Sequence, residues 1–326
     1  MPEISVVMSV YNGERFLREA VRSILDQSFS DFEYIIVNDR STDQTASILA
    51  SFNDRRIRLV HNSENIGLTA SLNKGIALAQ GKFIARMDAD DISLSGRLEH
   101  QVDFLKAHSE IGVLGTAYQV IDQDGNSGIV KSFPTSSAVI KWRLCFENPI
   151  VHPSVMMRCD ILERAGGYNP EMMTAQDYDL WQRVSVFTRL SNLPDVLIKL
   201  RKHDLSVTIR QGPQQRKNSS IISQHMMSSV LDEDIQLSMG EMVWERSFKE
   251  PQDVYRMAEI QLRICRAVIA DPNCSKDDQL MVRKEAALKL YGWFRAQVAD
   301  LHAWGILGWA LRLNPLLLFE LAQKKI

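Results

Sequence analysis

Several familiar signatures are missing from this chain. Its four cysteines, Cys145, Cys159, Cys265 and Cys274, form no Cys-x-x-Cys pair. That argues against a zinc site and for a reduced, cytosolic setting. Charge of one sign is also missing. The formal net charge is -2, so no global electrostatic footprint for nucleic acid exists. The first residues show no basic segment followed by an apolar one, so no signal peptide is expected. There is no Gly-x-Gly-x-x-Gly. The run Gly75…Gly81-Lys82-Phe83 imitates a phosphate loop, but it has five intervening residues and puts Phe where a hydroxyl is needed. Its glycines read instead as a helix end and a turn into a strand. No internal repeat or low-complexity linker is visible.

An ordinary globular composition is present: 45% of the 326 residues are apolar and 24% charged. Short apolar runs at Ile4–Ser9, Phe32–Val37, Ile57–His61 and Lys82–Met87 read as strands. They alternate with helical spacing over Glu14–Gln27, Asp43–Ala50 (capped by Ser41 or Thr42) and Gly67–Ala79. This alternation predicts an α/β fold with a mostly parallel sheet flanked by helices. Past Asp91 the pattern turns mixed. Helices are expected at Arg97–Ala107, Val139–Cys145 and Asp177–Phe187. Strand-like runs are expected at Gly112–Ile121, Ile129–Phe133, His152–Met157 and Val196–Leu200. From about Gln211 only helices are legible, at Met226–Gln236, Val254–Ala270 and Asp278–Val298. The expected division is therefore residues 1–210 and a C-terminal helical extension over 211–326.

The most informative stretch is Phe83-Ile-Ala-Arg-Met-Asp88-Ala-Asp90-Asp91. Strand alternation puts Asp88 and Asp90 on one face and Asp91 on the other. Two carboxylates at a strand end suit Mg²⁺ or Mn²⁺, although an Asp-rich turn can equally be plain solvated surface. Ligands in parallel sheets bind beyond the carboxyl ends of the strands, which predicts one crevice holding Tyr11, Asp39 and the acidic triplet. Asp39 reads either as a nucleobase acceptor or as a local cap. Asp177, in Thr174-Ala-Gln-Asp177, reads either as a general base or as the end of a capping box. His152 and His203 are each structural or functional; Arg201 and His203 would suit a diphosphate, and a neutral His203 could bind metal.

The spaced set Val37-Asn-Asp39-Arg-Ser-Thr-Asp43, Asn65-Ile-Gly67, Leu72-Asn73-Lys-Gly75 and Met87-Asp-Ala-Asp-Asp91 resembles the family 2 glycosyltransferases of GT-A fold. His152-Pro-Ser-Val, Gly166-Gly-Tyr168 and Gln176-Asp-Tyr-Asp-Leu-Trp181 extend the resemblance over roughly two-thirds of the chain. It implies an inverting enzyme that moves a sugar from a nucleotide-sugar, most often UDP-linked, to a hydroxyl of a glycan or lipid-linked acceptor. A place in bacterial O-antigen or capsule synthesis is implied too. By position, Asp39 would meet the base near Tyr11. Asp88 would lie by the ribose and metal, and Asp90 would bind Mn²⁺ or Mg²⁺. Asp177 would be the base, and the 201–208 segment, with Arg201 and His203, would close over the diphosphate. The chain departs from the pattern at Asn38, Arg40, Ser95-Gly96 and Gln176. Two rivals are a non-catalytic nucleotide-sugar-binding scaffold and a haloacid-dehalogenase-type phosphatase. The latter fits poorly, since Ile92 follows Asp91 and the strand is the fourth.

The apolar stretch from Leu301 to Glu320 is interrupted by Arg312, Asn314 and Pro315, so it is no clean span. Trp304 and Trp309 with Lys324-Lys325 suit a helix lying on the inner membrane face. A helix packed on protein fits as well.

Overall fold

The computed structural model describes residues 1–204, 212–245, 248, 250–296, 301–318 and 321. The expected boundary at Gln211, Ser206 and Thr208 of the diphosphate segment, Phe319, Glu320 and the Lys324-Lys325 tail lie outside the described residues, as does the side chain of Trp304. Two compact units are present. One is Met1–Thr135 with Asn148–Gln215; the other is Ser136–Glu147 with Arg216–Ile326.

The first unit is built on β1 (Ile4–Val10), β2 (Phe32–Asn38), β3 (Ile57–His61) and β4 (Phe83–Met87), joined by α1 (Leu17–Leu25), α2 (Thr45–Ala50) and α3 (Leu68–Ala77). These four strands are parallel in the order β3-β2-β1-β4. The mixed half adds β5 (Ile92–Ser93), α4 (Arg97–Ala107), β6 (Ile111–Ile121), β7 (Ser127–Lys131), β8 (Met156–Arg158), α6 (Cys159–Arg164), α7 (Gln176–Val184) and β9 (Arg189–Arg201). Here α5 is reserved for Ser137–Arg143, which belongs to the second unit. The sheet continues β4-β8-β6-β9-β5, with β7 on β6. β8 runs antiparallel to both β4 and β6, while β6 and β9 are parallel.

Alternation decides the two faces. Val6, Met8 and Val10 of β1 meet Leu17, Ala20, Val21 and Ile24 of α1 and Leu98, Val102 and Leu105 of α4 in one apolar core. Val7 and Val37 face the other way, against α3. That helix lies close because Gly75 has no side chain: a Cβ there would stand 2.7 Å from Val7 Cγ1. Gly75 is thus a close-approach residue inside α3, and not the helix end expected from the sequence. Gly81, which does lead into β4, is tighter still, since a Cβ would meet the Ser5 backbone nitrogen at 2.5 Å.

Other expectations shift for local reasons. α2 starts at Thr45 with no side-chain cap. Ser41 and Thr42 are spent elsewhere: Ser41 Oγ accepts from the Asn12 N–H at 3.0 Å, and the Thr42 N–H donates to Asn12 Oδ1 at 2.8 Å. Asp43 accepts the Glu14 N–H while Glu14 accepts the Gln44 N–H. The loops after β1 and β2 are therefore laced together. His152–Ser154 forms a 3-10 turn, and only the residues from Met156 onward are strand.

The second unit contains α5, α8 (Gly212–Leu231), α9 (Leu237–Glu245), α10 (Pro251–Ile269), α11 (Lys276–Ala296) and α12 (Leu301–Leu313). The helix expected at Met226–Gln236 is the last turn of the longer α8, which stops at Leu231 where Asp232 takes a left-handed φ of 52°; residues 232–236 connect it to α9. Val254, Ala258, Leu262, Leu290, Phe294, Ile306 and Ala310 form its core. Ser136 Oγ donates to Asp278 at 2.5 Å and Arg143 pairs with Glu285 at 2.7 Å, so α5 is tied into this unit by buried and polar contacts alike. Trp309 packs 4.9 Å from the Tyr255 ring, inside the helical unit. Among the described residues no helix is long and apolar enough to cross a membrane.

Candidate active site

The chain runs β1, β2, β3 outward, then returns past β1 to β4. The carboxyl ends of β1 and β4 therefore flank a topological switch point, where open parallel sheets bind ligands. Register puts Val10 beside Asn38 and Met8 beside Met87. Tyr11, Asp39 and Asp88 consequently leave neighbouring strands at the same end.

β4 stops at Met87, so alternation no longer applies to the acids beyond it. Asp88, Asp90 and Asp91 each offer a carboxylate oxygen within 4.8 Å of the others. The expectation that Asp91 would point away is corrected by this turn. Asp91 is buried and accepts the Arg201 N–H at 2.8 Å. Asp88 and Asp90 keep about a third of their side-chain surface open, at 32% and 34%. Hard carboxylate oxygens so grouped fit Mg²⁺ or Mn²⁺. His203 Nε2 lies 2.8 Å from Asp90 Oδ2, with its ring against Phe16 at 5.1 Å between centroids. The structure thus brings Asp88, Asp90 and His203 together.

Arg201 has a different setting from the one expected. It is buried; Nε donates to the Asp90 carbonyl, Nη1 to the carbonyls of Asp122 and Gln123, and Nη2 to Glu19. A guanidinium so committed shapes the acidic turn and has little left for a phosphate. Asp39 is equally engaged. It is 2% exposed, and its carboxylate accepts from Asn62 Nδ2, the Ile66 N–H and the Gly67 N–H at 2.8–2.9 Å. It organises the loop leading into α3. Tyr11 is 53% exposed beside it. Arg40, where the family pattern prefers Gly, has a φ of 58°, the left-handed region that costs a side-chain-bearing residue about 1–2 kcal/mol.

Asp177 lies in the first turn of α7. The expected Thr174 capping box is absent: the cap position is Ala175, at φ 58°, with no side-chain cap bond. Instead the Asp177 carboxylate accepts the Tyr178 N–H and, at 2.7 Å, Asn148 Nδ2. Asp177 and Asp88 are electrostatic neighbours. Burial raises the pKa of Asp88, Arg86 opposes that, and the charges of Asp90 and Asp177 raise it further. Burial likewise raises Asp177, against the pull of Tyr178 N–H, Asn148 and Arg86. Asp91 is held well above the ordinary carboxylate range by burial and by Asp90 and Asp88.

The common counter-charge is Arg86. It is 3% exposed, pairs with Asp88, and leaves Nε with no hydrogen-bond partner. Beside it His152 Nε2 and Tyr168 Oη lie 2.7 Å apart. Burial and Arg86 push His152 well below its usual value, so this imidazole is neutral. Arg86 and Asn148 are not among the residues singled out from the sequence. Arg86 carried a signal, a lone charge inside an apolar strand just before three acids. Asn148, before Pro149, carried none.

Comparison with known proteins identifies the family and the fold. The family model described as Glycosyl transferase family 2 matches residues 5–166. EpsE of Bacillus subtilis is 39% identical over 210 residues, covering 62% of this chain and 73% of EpsE. The amylovoran biosynthesis glycosyltransferase AmsE of Erwinia amylovora is 32% identical over 213 residues, covering 64% of this chain and 79% of AmsE. Among solved structures, residues 1–349 of Staphylococcus aureus TarS, crystallised with UDP-GlcNAc, superpose with a TM-score of 0.60. That match is 18% identical and covers 87% of this chain and 80% of TarS 1–349. The fold is of GT-A type. The chain belongs to glycosyl transferase family 2 and is a glycosyltransferase.

Proposed function

We propose that this glycosyltransferase moves a sugar from a UDP-sugar to a hydroxyl of a glycan or lipid-linked acceptor, with inversion, in bacterial surface-polysaccharide synthesis. The observation that carries the reading is that Asp177 stands close enough to Asp88, at the β1/β4 switch point, for its charge to disfavour ionisation there, while Asp88 itself clusters with Asp90. AmsE, named for polysaccharide synthesis, and TarS, crystallised with UDP-GlcNAc, support the substrate classes.

In this reading Asp177 takes the proton of the acceptor hydroxyl. The acceptor oxygen attacks the anomeric carbon from the face opposite the leaving group. The bond between that carbon and the diphosphate breaks, and its electron pair departs with the nucleoside diphosphate. A divalent cation held by Asp88 and Asp90, with His203 beside Asp90, would supply positive charge for the departing diphosphate. Tyr11 and Asp39 flank the nucleobase end, with Asp39 acting mainly through the loop it fixes. Arg201 holds the acidic turn in shape. Residues 1–210 carry the chemistry. The helical region, whose exposed Leu316 and Leu318 follow α12, suits peripheral contact with the inner face of the membrane.

The test is a panel of nucleotide-sugars with Mn²⁺ or Mg²⁺, scored by diphosphate release with and without chelator. Release is expected with a UDP-sugar, dependent on the cation. Asp177→Asn is expected to cut kcat by about 10²–10⁴-fold while UDP still binds. Turnover by Asp177→Asn at the wild-type rate would remove the base assignment. Silence across the UDP-sugars would move the donor to another nucleotide.

A further inference from the structure

The catalytic carboxylate is anchored to the sheet as well as to its own helix. Oδ2 of Asp177 accepts from Asn148 Nδ2 at 2.7 Å. A second bond decides which way the Asn148 amide faces. Its Oδ1 accepts the Ile150 N–H at 3.3 Å, so the nitrogen end is the one turned to the acid. The segment that presents Asn148 is itself clamped. Ile150 is 1% exposed, and the Pro149 carbonyl accepts from Asn192 Nδ2 of β9 at 3.2 Å. β6 is pressed against the same place. A Cβ on Gly115 would stand 2.9 Å from Ile150 Cγ2 and 2.2 Å from Asn192 Oδ1.

We infer that Asn148 is a positioning residue for glycosyl transfer: its amide holds the Asp177 carboxylate, through Oδ2, in the orientation that receives the proton of the acceptor hydroxyl. This rests on the reading of Asp177 as the base. As the acceptor oxygen bonds to the anomeric carbon, its proton passes to the Asp177 carboxylate. The electron pair of the broken anomeric bond leaves on the diphosphate. Asn148 takes no part in the bond changes. It removes the rotational freedom of the carboxylate, and an oriented base outperforms a swinging one. Asp177 is the second residue of α7, two places after the left-handed Ala175, and the Tyr178 N–H of its own helix reaches its carboxylate. Asn148 adds a tether from outside the helix, and its own direction is fixed by Ile150.

The experiment compares wild type, Asn148→Leu, Asp177→Asn and the double variant. All use the UDP-sugar that the wild type turns over, and UDP binding with Mn²⁺ is followed by calorimetry. Asn148→Leu keeps the branched shape and removes both the donor to Asp177 and the acceptor of the Ile150 N–H. It is expected to lower kcat by about 10- to 100-fold, the worth of a hydrogen bond to a charged group, with donor KM and UDP affinity held within about twofold. In the Asp177→Asn background the same change should cost less than about twofold, because the group it acts through is gone. If Asn148→Leu fails to fold, Asn148→Ala carries the same comparison. An unchanged kcat, a loss that appears in KM instead, or an equal loss in both backgrounds would overturn the proposal. Those outcomes leave the reading of Asp177 standing. That reading fails separately, if Asp177→Asn alone retains full kcat.

Discussion

Replacing Arg86 by Met asks how the first unit tolerates so many buried acids. Arg86 is 3% exposed and opposes the effect of burial at Asp88, Asp91 and Asp177 alike. Opposite unit charges at about 4 Å gain about 4 kcal/mol at an effective dielectric near 20. Removing one partner of a buried pair typically costs about 3–5 kcal/mol. Asp88 retains 32% of its side-chain surface, so we expect the lower end, about 3 kcal/mol near pH 8. The loss should depend on pH in a definite direction. The folded-state pKa values of Asp88, Asp91 and Asp177 are raised, so the folded chain holds protons that the unfolded chain has released. Stability therefore falls as pH rises from the ordinary carboxylate value through the raised ones. Without Arg86 those values rise further and the fall steepens. At pH 5 the carboxyls of Arg86→Met hold more of their protons, and less charge is left uncompensated. Urea unfolding followed by circular dichroism at pH 5, 6.5 and 8 reads this directly as a shift in midpoint at constant slope. A deficit that is constant across that range would show that Arg86 acts by packing alone. A deficit below about 1 kcal/mol at pH 8 would refute the electrostatic argument.

Asp90→Asn should abolish the rise in melting temperature that Mn²⁺ gives the wild type. That rise should be about 5–10 °C at 100 times the dissociation constant, reversed by chelator, and a retained rise would place the cation elsewhere. Asp39→Ala orphans Asn62 Nδ2 and the N–H groups of Ile66 and Gly67. It should cost about 3 kcal/mol or more in thermal melting, before any effect on nucleotide binding is counted. Gly81→Ala drives a methyl group into the Ser5 backbone and should destabilise by about 3 kcal/mol; a neutral result would mean the α3–β4 connection is slack.

The first four strands were legible because each is a short apolar run closed by turn residues, and α4 was read to the residue, Arg97–Ala107. β9 was not. It was expected at Val196–Leu200, yet it begins at Arg189. Pro194 and Asp195 hide the earlier half. The sheet absorbs them in a register shift, since Thr116 pairs with Leu193 while Ala117 pairs with Val196. The acid cluster was visible as composition, but its shape was not. Whether Asp91 joins Asp88 depends on the turn after Met87, which strand periodicity does not describe. Asp39 and Arg201 show a further limit. The motif marks both positions without telling a residue that touches substrate from one that braces a loop. Ser136–Glu147 gave no sign of its allegiance, because a short amphipathic helix looks the same whichever apolar surface covers it.

That last segment has a practical consequence. Val139, Ile140 and Trp142 are almost wholly buried, and the side chains that bind their helix come from Asp278 and Glu285. Trimming the gene after codon 215 would not liberate a neat catalytic core. It would strand a sticky helix in the middle of the polypeptide, a few residues ahead of Asn148. Expression of such a fragment should yield aggregate, and the tail helices are better regarded as a second half of the scaffold than as an accessory.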